Sequence, residues 1–198
     1  MLRLVAVSVV PRVLFTGNFS LLKGAEYLLE SLRILNERGV NVHYSVVGSI
    51  SVPRALMRDE RSASLTSIPH LPSPIPSITF HGPVPQDDLK TFLAESDIYL
   101  FPSLADGCAQ SGMEALTAGL PVVATYQSGL TITDGETGCV VPMKDAAAIA
   151  DKIEWLISHP EERVRIGKNA AKMMQEKYTW EKYAENVKRI YEEMIENV

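Results

Sequence analysis

The stretch "DIYLFPSLADGCAQSGMEALTAGLPVVAT", residues 97–125, contains the elements that decide the fold. It begins with an almost continuously apolar run, which is typical of a strand buried on both faces of a sheet. A loop of small residues follows, then a helical pattern that ends near Gly119, and then the apolar strand 121–125. Buried strands that alternate with helices indicate a parallel sheet. The stretch therefore predicts one β–α–β unit of an α/β fold.

The same alternation continues along the chain in both directions. Apolar runs predict further strands at 12–17, 42–48, 78–82 and 138–142, and helical spacing predicts helices at 24–39, 85–96, 145–158, 160–177 and 179–197. The segment 49–76 gives a weaker signal, with the start of a helix near 51–64 and a proline-rich stretch that excludes regular helix. We predict a single Rossmann-like α/β domain over 12–198, with a parallel sheet and helices on both faces, preceded by a leader or linker remnant at 1–11.

Composition excludes several classes of function. The 198 residues carry a net charge of -5 and show no basic stripe, which argues against nucleic-acid binding. Cys108 and Cys139 lie far apart without metal-ligand neighbours, so we expect no disulfide, no metal and a reducing, cytoplasmic location. The apolar N-terminal run stops at Pro11, which is too short to cross a bilayer.

Two acids flank the run of small residues in the opening stretch. Asp106 lies in the loop after a strand, and Glu114 lies about one turn into the following helix. The intervening Gly107, Cys108 and Ala109 have little bulk, and the free N–H groups of the helix start can bind an anion. Acids on either side can accept hydrogen bonds from hydroxyl groups, so a nucleotide-sugar fits the pattern. The alternative is that Asp106 only caps the helix and Glu114 is solvated.

A second loop, "GNFSLLKG" at 17–24, is another candidate anion site. Gly17 ends the first strand, and Lys23 stands where the first helix begins, within reach of a phosphate at the strand ends. The loop does not have the Gly-Lys-Ser/Thr sequence of a Walker A motif or the G-x-G-x-x-G dinucleotide fingerprint. ATP hydrolysis and nicotinamide binding are therefore not supported.

The order of several short motifs carries a resemblance to a known family. They are Lys23-Gly24, "FHGPVPQDDL" (80–89), "SDIYLFPSLADG" (96–107), "EALTAGLPVVAT" (114–125), "DGETGCVVP" (134–142) and "YTWEKYAENVKRIYEEM" (178–194). Together they resemble the C-terminal, donor-binding half of GT-B fold glycosyltransferases, in particular the retaining family 4 or group 1 glycosyl transferases. The resemblance covers roughly residues 13–196.

The resemblance implies roles for individual residues. Asp106 would contact the hydroxyls of the donor sugar and, with Lys23, would serve catalysis, while Glu114 would hold the ribose hydroxyls. Lys23 would neutralise the donor diphosphate next to Gly17 and Asn18.

Backbone amides of the loop Gly107, Cys108 and Ala109 would lie near the sugar and phosphate, and the loop Gly82, Pro83 and Val84 would border the base. The donor would be a UDP- or GDP-linked sugar, bound without a metal or another cofactor.

Three departures from the family pattern are visible. Asn18 stands where an arginine is usual, which removes half of the diphosphate clamp. The first acid of the pair is aspartate instead of glutamate, and the segment 128–135 is shortened and without its acid.

Some interpretations stay open. The chain would be a hexosyltransferase donor domain that is weakly active or inactive alone. Its partner would be an acceptor-binding N-terminal domain, and peripheral membrane association through that domain is a further option. Alternatives are a non-catalytic nucleotide-sugar-binding module and a nucleotide-sugar epimerase of the same fold. A flavodoxin-like receiver is disfavoured, because the first strand is not followed by an acidic cluster. The aromatic residues of the final helix, Trp180, Tyr183 and Tyr191, would either face the other half or pack on their own domain.

Overall fold

The computed structural model describes residues 10–52 and 77–196. The residue limits of the strands are β1 Arg12–Thr16, β2 Phe19–Ser20, β3 His43–Val47, β4 Ile50–Ser51, β5 Ile78–Gly82, β6 Ile98–Phe101, β7 Val122–Thr125 and β8 Cys139–Val141. The helices are α1 Ala25–Glu37, α2 Gln86–Glu95, α3 Gln110–Thr117, α4 Ala146–Ser158, α5 Pro160–Lys177 and α6 Trp180–Glu196. The expected leader at 1–11 and the weak segment 49–76 lie largely outside the described residues.

Six strands form one sheet in the order β5-β3-β1-β6-β7-β8, and every pair in it is parallel. Counted along these six strands only, this is the order 3-2-1-4-5-6 of a Rossmann fold, and it reverses between β1 and β6. The predicted fold class is confirmed. A ligand crevice is expected at this reversal, outside the carboxyl ends of β1 and β6.

Helices cover the two faces of the sheet. Right-handed crossovers place α1 on one face and α2 and α3 on the opposite face. Helix α4 packs against α1, and α5 packs against α3. Strands β6 and β7, which lie inside the sheet, are buried at every residue, as their continuous hydrophobicity predicted.

The structure adds one feature that the sequence pattern did not predict. Strands β2 and β4 pair in parallel as a separate two-stranded sheet, the first inside the predicted loop 17–24 and the second at the start of the weak segment 49–76. Two-residue strands are too short for a periodic pattern, so they can be recognised only from the pairing itself.

Helix α6 differs from the others because its apolar side chains are exposed. Trp180, Tyr183 and Tyr191 are 83%, 63% and 63% exposed, so the interpretation that they pack on their own domain is wrong. Within residues 10–52 and 77–196, no helix is long and apolar enough to cross a membrane.

Candidate functional site

The loops after β1 and β6 meet at the carboxyl edge of the sheet, where the strand order reverses. The amide of Leu104 donates to the carbonyl of Leu22 over 2.8 Å, and the Ser103 hydroxyl donates to the same carbonyl over 3.2 Å. Gly24, between the β1 loop and α1, has a φ of 77°, and a Cβ there would lie 2.0 Å from the Pro102 carbonyl oxygen. Only glycine allows this close approach of the two backbones. The two loops therefore form one connected surface.

Lys23 and Asp106 form an ion pair on this surface. The Lys23 ammonium donates to Asp106 Oδ2 and lies 5.6 Å from the centroid of the Phe101 ring. The two side chains are only 26% and 16% exposed. The sequence predicted both residues for the site, but not that they touch.

The interpretation of Asp106 as a helix cap is wrong. Helix α3 begins after Ala109, and within the part of the chain that the structure describes no side chain caps its N-terminus. Several N–H groups of its first turn are therefore free of both an intrahelical partner and a side-chain cap.

Glu114 is the acid on the other side of the α3 start. It lies in the interior of the helix, as predicted, and is half-buried. The Gln86 amide, at the first residue of α2, donates to Glu114 Oε1 over 3.1 Å. This hydrogen bond is exposed to solvent, so it gives the Glu114 carboxylate a neighbour, and the ligand-binding role of Glu114 stays a prediction.

The small-residue loop between the two acids is supported from behind by the segment after β7. The Asp106 amide donates to the Gln127 carbonyl over 2.9 Å. Gly129 has a φ of 70°, and a Cβ there would lie 2.6 Å from the Gly107 carbonyl oxygen. Gly107 and Cys108 are exposed, whereas Ala109 is buried. The shortened segment 128–135 therefore helps to fix the backbone that presents Asp106.

The remaining predicted residues lie at the same edge of the sheet. Gly17 donates its amide to the Val47 carbonyl over 2.9 Å, and the exposed Asn18 accepts a hydrogen bond of 3.3 Å from the Ser49 hydroxyl. The loop after β3 also contacts the loop Gly82, Pro83 and Val84, which was predicted to border the base.

That tie runs through one backbone hydrogen bond, in which the Gly48 amide donates to the Gly82 carbonyl over 2.9 Å. Pro83 is exposed and Val84 is half-buried after it. Predicted site residues from the loops after β1, β5 and β6 therefore share one edge of the sheet.

A buried tyrosine lies beneath this edge. The Tyr99 hydroxyl is 2.9 Å from Thr16 Oγ1 and 3.4 Å from the Thr16 carbonyl oxygen, so it joins the interior of β6 to the end of β1. Burial raises the pKa of Tyr99 to about 12, so the phenol stays protonated at neutral pH.

Sequence reasoning missed Gln86, Tyr99, Thr16 and Ser49. In the sequence, Tyr99 and Thr16 look like ordinary core positions of strands. Their contact depends on the pairing of β1 with β6. Gln86 could have been found, because the helix that it opens directly follows the predicted base loop.

The edge combines two chemical capabilities. A half-buried ammonium and the free N–H groups of a helix start can neutralise a bound anion. Two carboxylates nearby can accept hydrogen bonds from hydroxyl groups. The fold and this edge define the class: a Rossmann-like α/β domain whose strand reversal presents groups with the chemistry to bind an anion and hydroxyl groups.

The chain belongs to the group 1 glycosyl transferases, since the model of that family matches residues 10–159. A similar curated protein is the capsular polysaccharide biosynthesis glycosyltransferase CapM of Staphylococcus aureus, 27% identical over 176 residues that cover 85% of this chain and 42% of CapM. A D-inositol 3-phosphate glycosyltransferase of Arthrobacter sp. (strain FB24) is 30% identical, over 87% of this chain and 40% of that protein. The chain thus spans about two-fifths of the length of these relatives.

Solved structures show the same fold. The C-terminal domain of the group 1 glycosyl transferase LpcC from Francisella tularensis has a TM-score of 0.69 at 23% identity, covering 86% of this chain and 89% of that one. HepE of Anabaena, solved with UDP and glucose, has a TM-score of 0.67 at 18% identity over 84% of this chain and 44% of HepE. The chain therefore has the fold of the C-terminal domain of a GT-B glycosyltransferase.

Proposed function

We propose that this chain binds a nucleoside-diphosphate sugar and supplies the donor half of a retaining hexosyltransferase. One observation carries the proposal: the Lys23–Asp106 pair lies next to the uncapped start of α3 at the strand reversal, with Glu114 on the same helix. Structural relatives include a glycosyltransferase-fold protein solved with UDP and glucose, which supports a UDP-linked donor.

The contacts suggest how the donor lies on the edge. Its diphosphate lies between the Lys23 ammonium and the first-turn amides of α3. The donor sugar contacts Asp106 and the backbone of Gly107 to Ala109, which the segment after β7 holds in place. The ribose diol donates to Glu114, whose carboxylate Gln86 already orients.

The base then lies towards Gly82, Pro83 and Val84, and Gly17 and Asn18 border the diphosphate. This placement follows the loops in the order in which the sheet brings them together, from β6 through β1 and β3 to β5.

Catalysis would be electrostatic. As the bond between the anomeric carbon and the diphosphate oxygen breaks, negative charge grows on the leaving phosphate, and Lys23 and the α3 amides offset it. The acceptor oxygen bonds to the anomeric carbon on the face that the diphosphate leaves and passes its proton to the departing phosphate oxygen, so the configuration is retained. No metal is needed in this scheme, because the cationic and dipolar groups lie on the protein.

The acceptor site would lie on another domain that meets the exposed face of α6. Trp180, Tyr183 and Tyr191 recur on that face, and its polar side alternates acids and bases without an excess of basic residues. An anionic membrane surface attracts polybasic helices, so this helix fits a protein partner better than a lipid one.

The free thiols Cys108 and Cys139 agree with a reducing compartment such as the cytoplasm.

One observation favours a second function, a nucleotide-sugar-binding module without catalysis. Asn18 offers an amide, bonded to Ser49, where the family pattern places an arginine. An amide cannot supply the second positive charge for a leaving diphosphate. Binding would then survive while transfer and donor hydrolysis are lost.

Calorimetric titration with UDP, GDP, ADP and their sugar conjugates tests the proposal. We expect saturable binding of one base, weakened about 10- to 100-fold by Lys23→Ala, because a hydrogen bond between charged partners contributes about 1.5–3 kcal/mol. Lys172→Ala is the matched control, since it removes the same charge from an exposed ion pair on α5.

No binding of any nucleotide at millimolar concentration would contradict the proposal, and so would equal losses from the two lysine variants. Donor hydrolysis by the wild type and by Asn18→Arg then separates the two functions. Activity that appears only with the arginine identifies a binding module.

A further inference from the structure

Lys23 and Asp106 neutralise each other's charge at the candidate site. The Lys23 ammonium donates to Asp106 Oδ2, and the two side chains are mostly buried, so salt screens this pair less than a pair on the surface. The ammonium also lies 5.6 Å from the centroid of the Phe101 ring. An anion that reaches the ammonium therefore has to compete with a carboxylate that is already bound to it.

Hydrogen bonds to the backbone hold the two loops that carry the pair. The buried Ser103 hydroxyl is shared between two carbonyl oxygens, that of Leu22 at 3.2 Å and that of Ala105 at 3.1 Å. Each of these carbonyls belongs to the residue directly before a member of the pair. The Asp106 amide is held as well, by the Gln127 carbonyl at 2.9 Å. Because the backbone is fixed, the two side chains can change partners by rotation, without a movement of the loops.

The charge of the ligand decides whether this exchange of partners is favourable. A free nucleoside diphosphate takes the ammonium from Asp106 and leaves the carboxylate close to its own phosphate oxygens, and like charges in a partly buried site repel. A nucleotide-sugar carries hydroxyl groups, which donate to the carboxylate in place of the ammonium. Its terminal phosphate is esterified, so it also lacks the ionisation that a free terminal phosphate has at about pH 6. The same aspartate thus opposes the first ligand and binds the second.

We propose that Asp106, through its ion pair with Lys23, makes the site select a nucleotide-sugar over the corresponding free nucleoside diphosphate. This preference suits a transferase, because the free diphosphate is the product that must leave before the next donor binds. The inference rests on the proposed function, since it requires that the diphosphate reaches Lys23 and that the sugar reaches Asp106.

The test is calorimetric titration of the full chain and of its Asp106→Asn variant with UDP, UDP-glucose, GDP and GDP-mannose. For the preferred base, we expect the variant to bind the free diphosphate about three- to tenfold more tightly, because Lys23 is released and the repulsion is removed. It should bind the sugar conjugate about three- to tenfold more weakly, because an amide oxygen is a weaker acceptor than a carboxylate. A gain in affinity cannot come from a misfolded site, and the measurement with the free diphosphate does not depend on the identity of the sugar.

Two further variants separate the ion pair from a general effect of charge. Asp151→Asn makes the same change in net charge at an exposed ion pair with Arg38, and it should change neither affinity. In a Lys23→Ala background, Asp106→Asn should improve binding of the free diphosphate less than it does in the wild type, because no ammonium is released.

Equal or weaker binding of the free diphosphate by Asp106→Asn would overturn the inference while leaving the proposed function intact. An equal gain for the free diphosphate and the sugar conjugate would overturn it too, since Asp106 would then repel both ligands alike. A wild type that binds none of the four ligands would instead overturn the proposed function, and the inference with it.

Discussion

Two aspartates stand at the two ends of β6, and each meets a basic side chain. At the amino end, Asp97 accepts the Arg12 amide over 2.9 Å and lies 3.7 Å from Arg163 Nη2 of α5, with side chains 9% and 11% exposed. At the carboxyl end, Asp106 pairs with Lys23, and these side chains are 16% and 26% exposed. The same pairing of charges therefore occurs in two different environments.

The difference lies in what holds each pair. Asp97 and Arg163 are placed by a strand start and a helix, and a backbone amide satisfies the second carboxylate oxygen. Lys23 and Asp106 come from loops whose side chains face the crevice at the strand reversal. The buried pair of Asp97 and Arg163 contributes to the stability of the fold, whereas the loop pair of Lys23 and Asp106 is accessible to a ligand. Acid–base pairing alone thus says little about function until its place in the sheet is known.

The largest effect should come from breaking the buried pair. Asp97→Asn leaves Arg163 without its counter-charge in a buried site, and we expect a loss of about 3–5 kcal/mol in the free energy of unfolding. Urea denaturation measures it as a lower midpoint with an unchanged slope. The fraction that remains folded should bind nucleotide with wild-type affinity.

Asp106→Asn is the matched change at the other end of β6. Partly exposed ion pairs contribute little to stability, so we expect the free energy of unfolding to change by less than about 1 kcal/mol while nucleotide-sugar affinity falls. A stability loss as large as that of Asp97→Asn would show that the two pairs are not different in kind.

The two ends of α1 extend the comparison to the backbone. Gly24 and Gly39 both have φ values near 75°, but a Cβ at Gly24 would lie 2.0 Å from the Pro102 carbonyl oxygen, whereas Gly39 has no atom within 4 Å of that position. We expect Gly39→Ala to cost about 1–2 kcal/mol from the left-handed conformation alone. Gly24→Ala should cost about 3 kcal/mol or more, because backbone must also move.

Thermal denaturation and nucleotide titration of the two glycine variants check this expectation. Gly24→Ala should lose affinity, since Lys23 is its neighbour in the chain, and Gly39→Ala should keep it. Equal melting temperatures would mean that the β1 and β6 loops are not in close contact in solution.

The contrast between the ends of the sheet also marks what the sequence could predict. Continuous apolar runs predicted all six strands of the main sheet, and the rule that ligands bind at the carboxyl edge brought Lys23, Asp106 and Glu114 to one side. The side-chain contacts of these three residues could not be predicted from the sequence, because they depend on strand register and on side-chain rotamers. Gln86 and Glu114, for example, come from different crossovers and meet only when α2 and α3 are placed on the sheet.

A smaller effect is expected from Gln86, which lies at the carboxyl edge. Gln86→Ala removes an exposed hydrogen bond of 3.1 Å to Glu114, so we expect nucleotide affinity to fall about two- to threefold with little change in stability. Gln175→Ala, at an exposed position of α5, should change neither quantity. If Gln86→Ala binds as tightly as the control, Glu114 does not need a neighbour to orient it.

The smallest effect belongs to the amino edge, where His43 begins β3. Partial burial, with Arg12 and His81 nearby, holds the pKa of His43 below its usual value. Its Nε2 lies 3.1 Å from Thr79 Oγ1, and Glu95 of α2 lines the same recess.

Because the folded state resists protonation of His43, its contribution to stability is constant well above pH 6.5. As the pH falls, His43 is protonated in the unfolded state at a higher pH than in the folded state. Its contribution to the stability of the fold therefore becomes unfavourable between these two pKa values. His43→Gln lacks this penalty, so its melting temperature should fall less than that of the wild type between pH 7.5 and 5, by about 1 °C. Parallel melting curves across that range would show that His43 titrates alike in both states, and would leave the amino edge with no pH-dependent contribution from this residue.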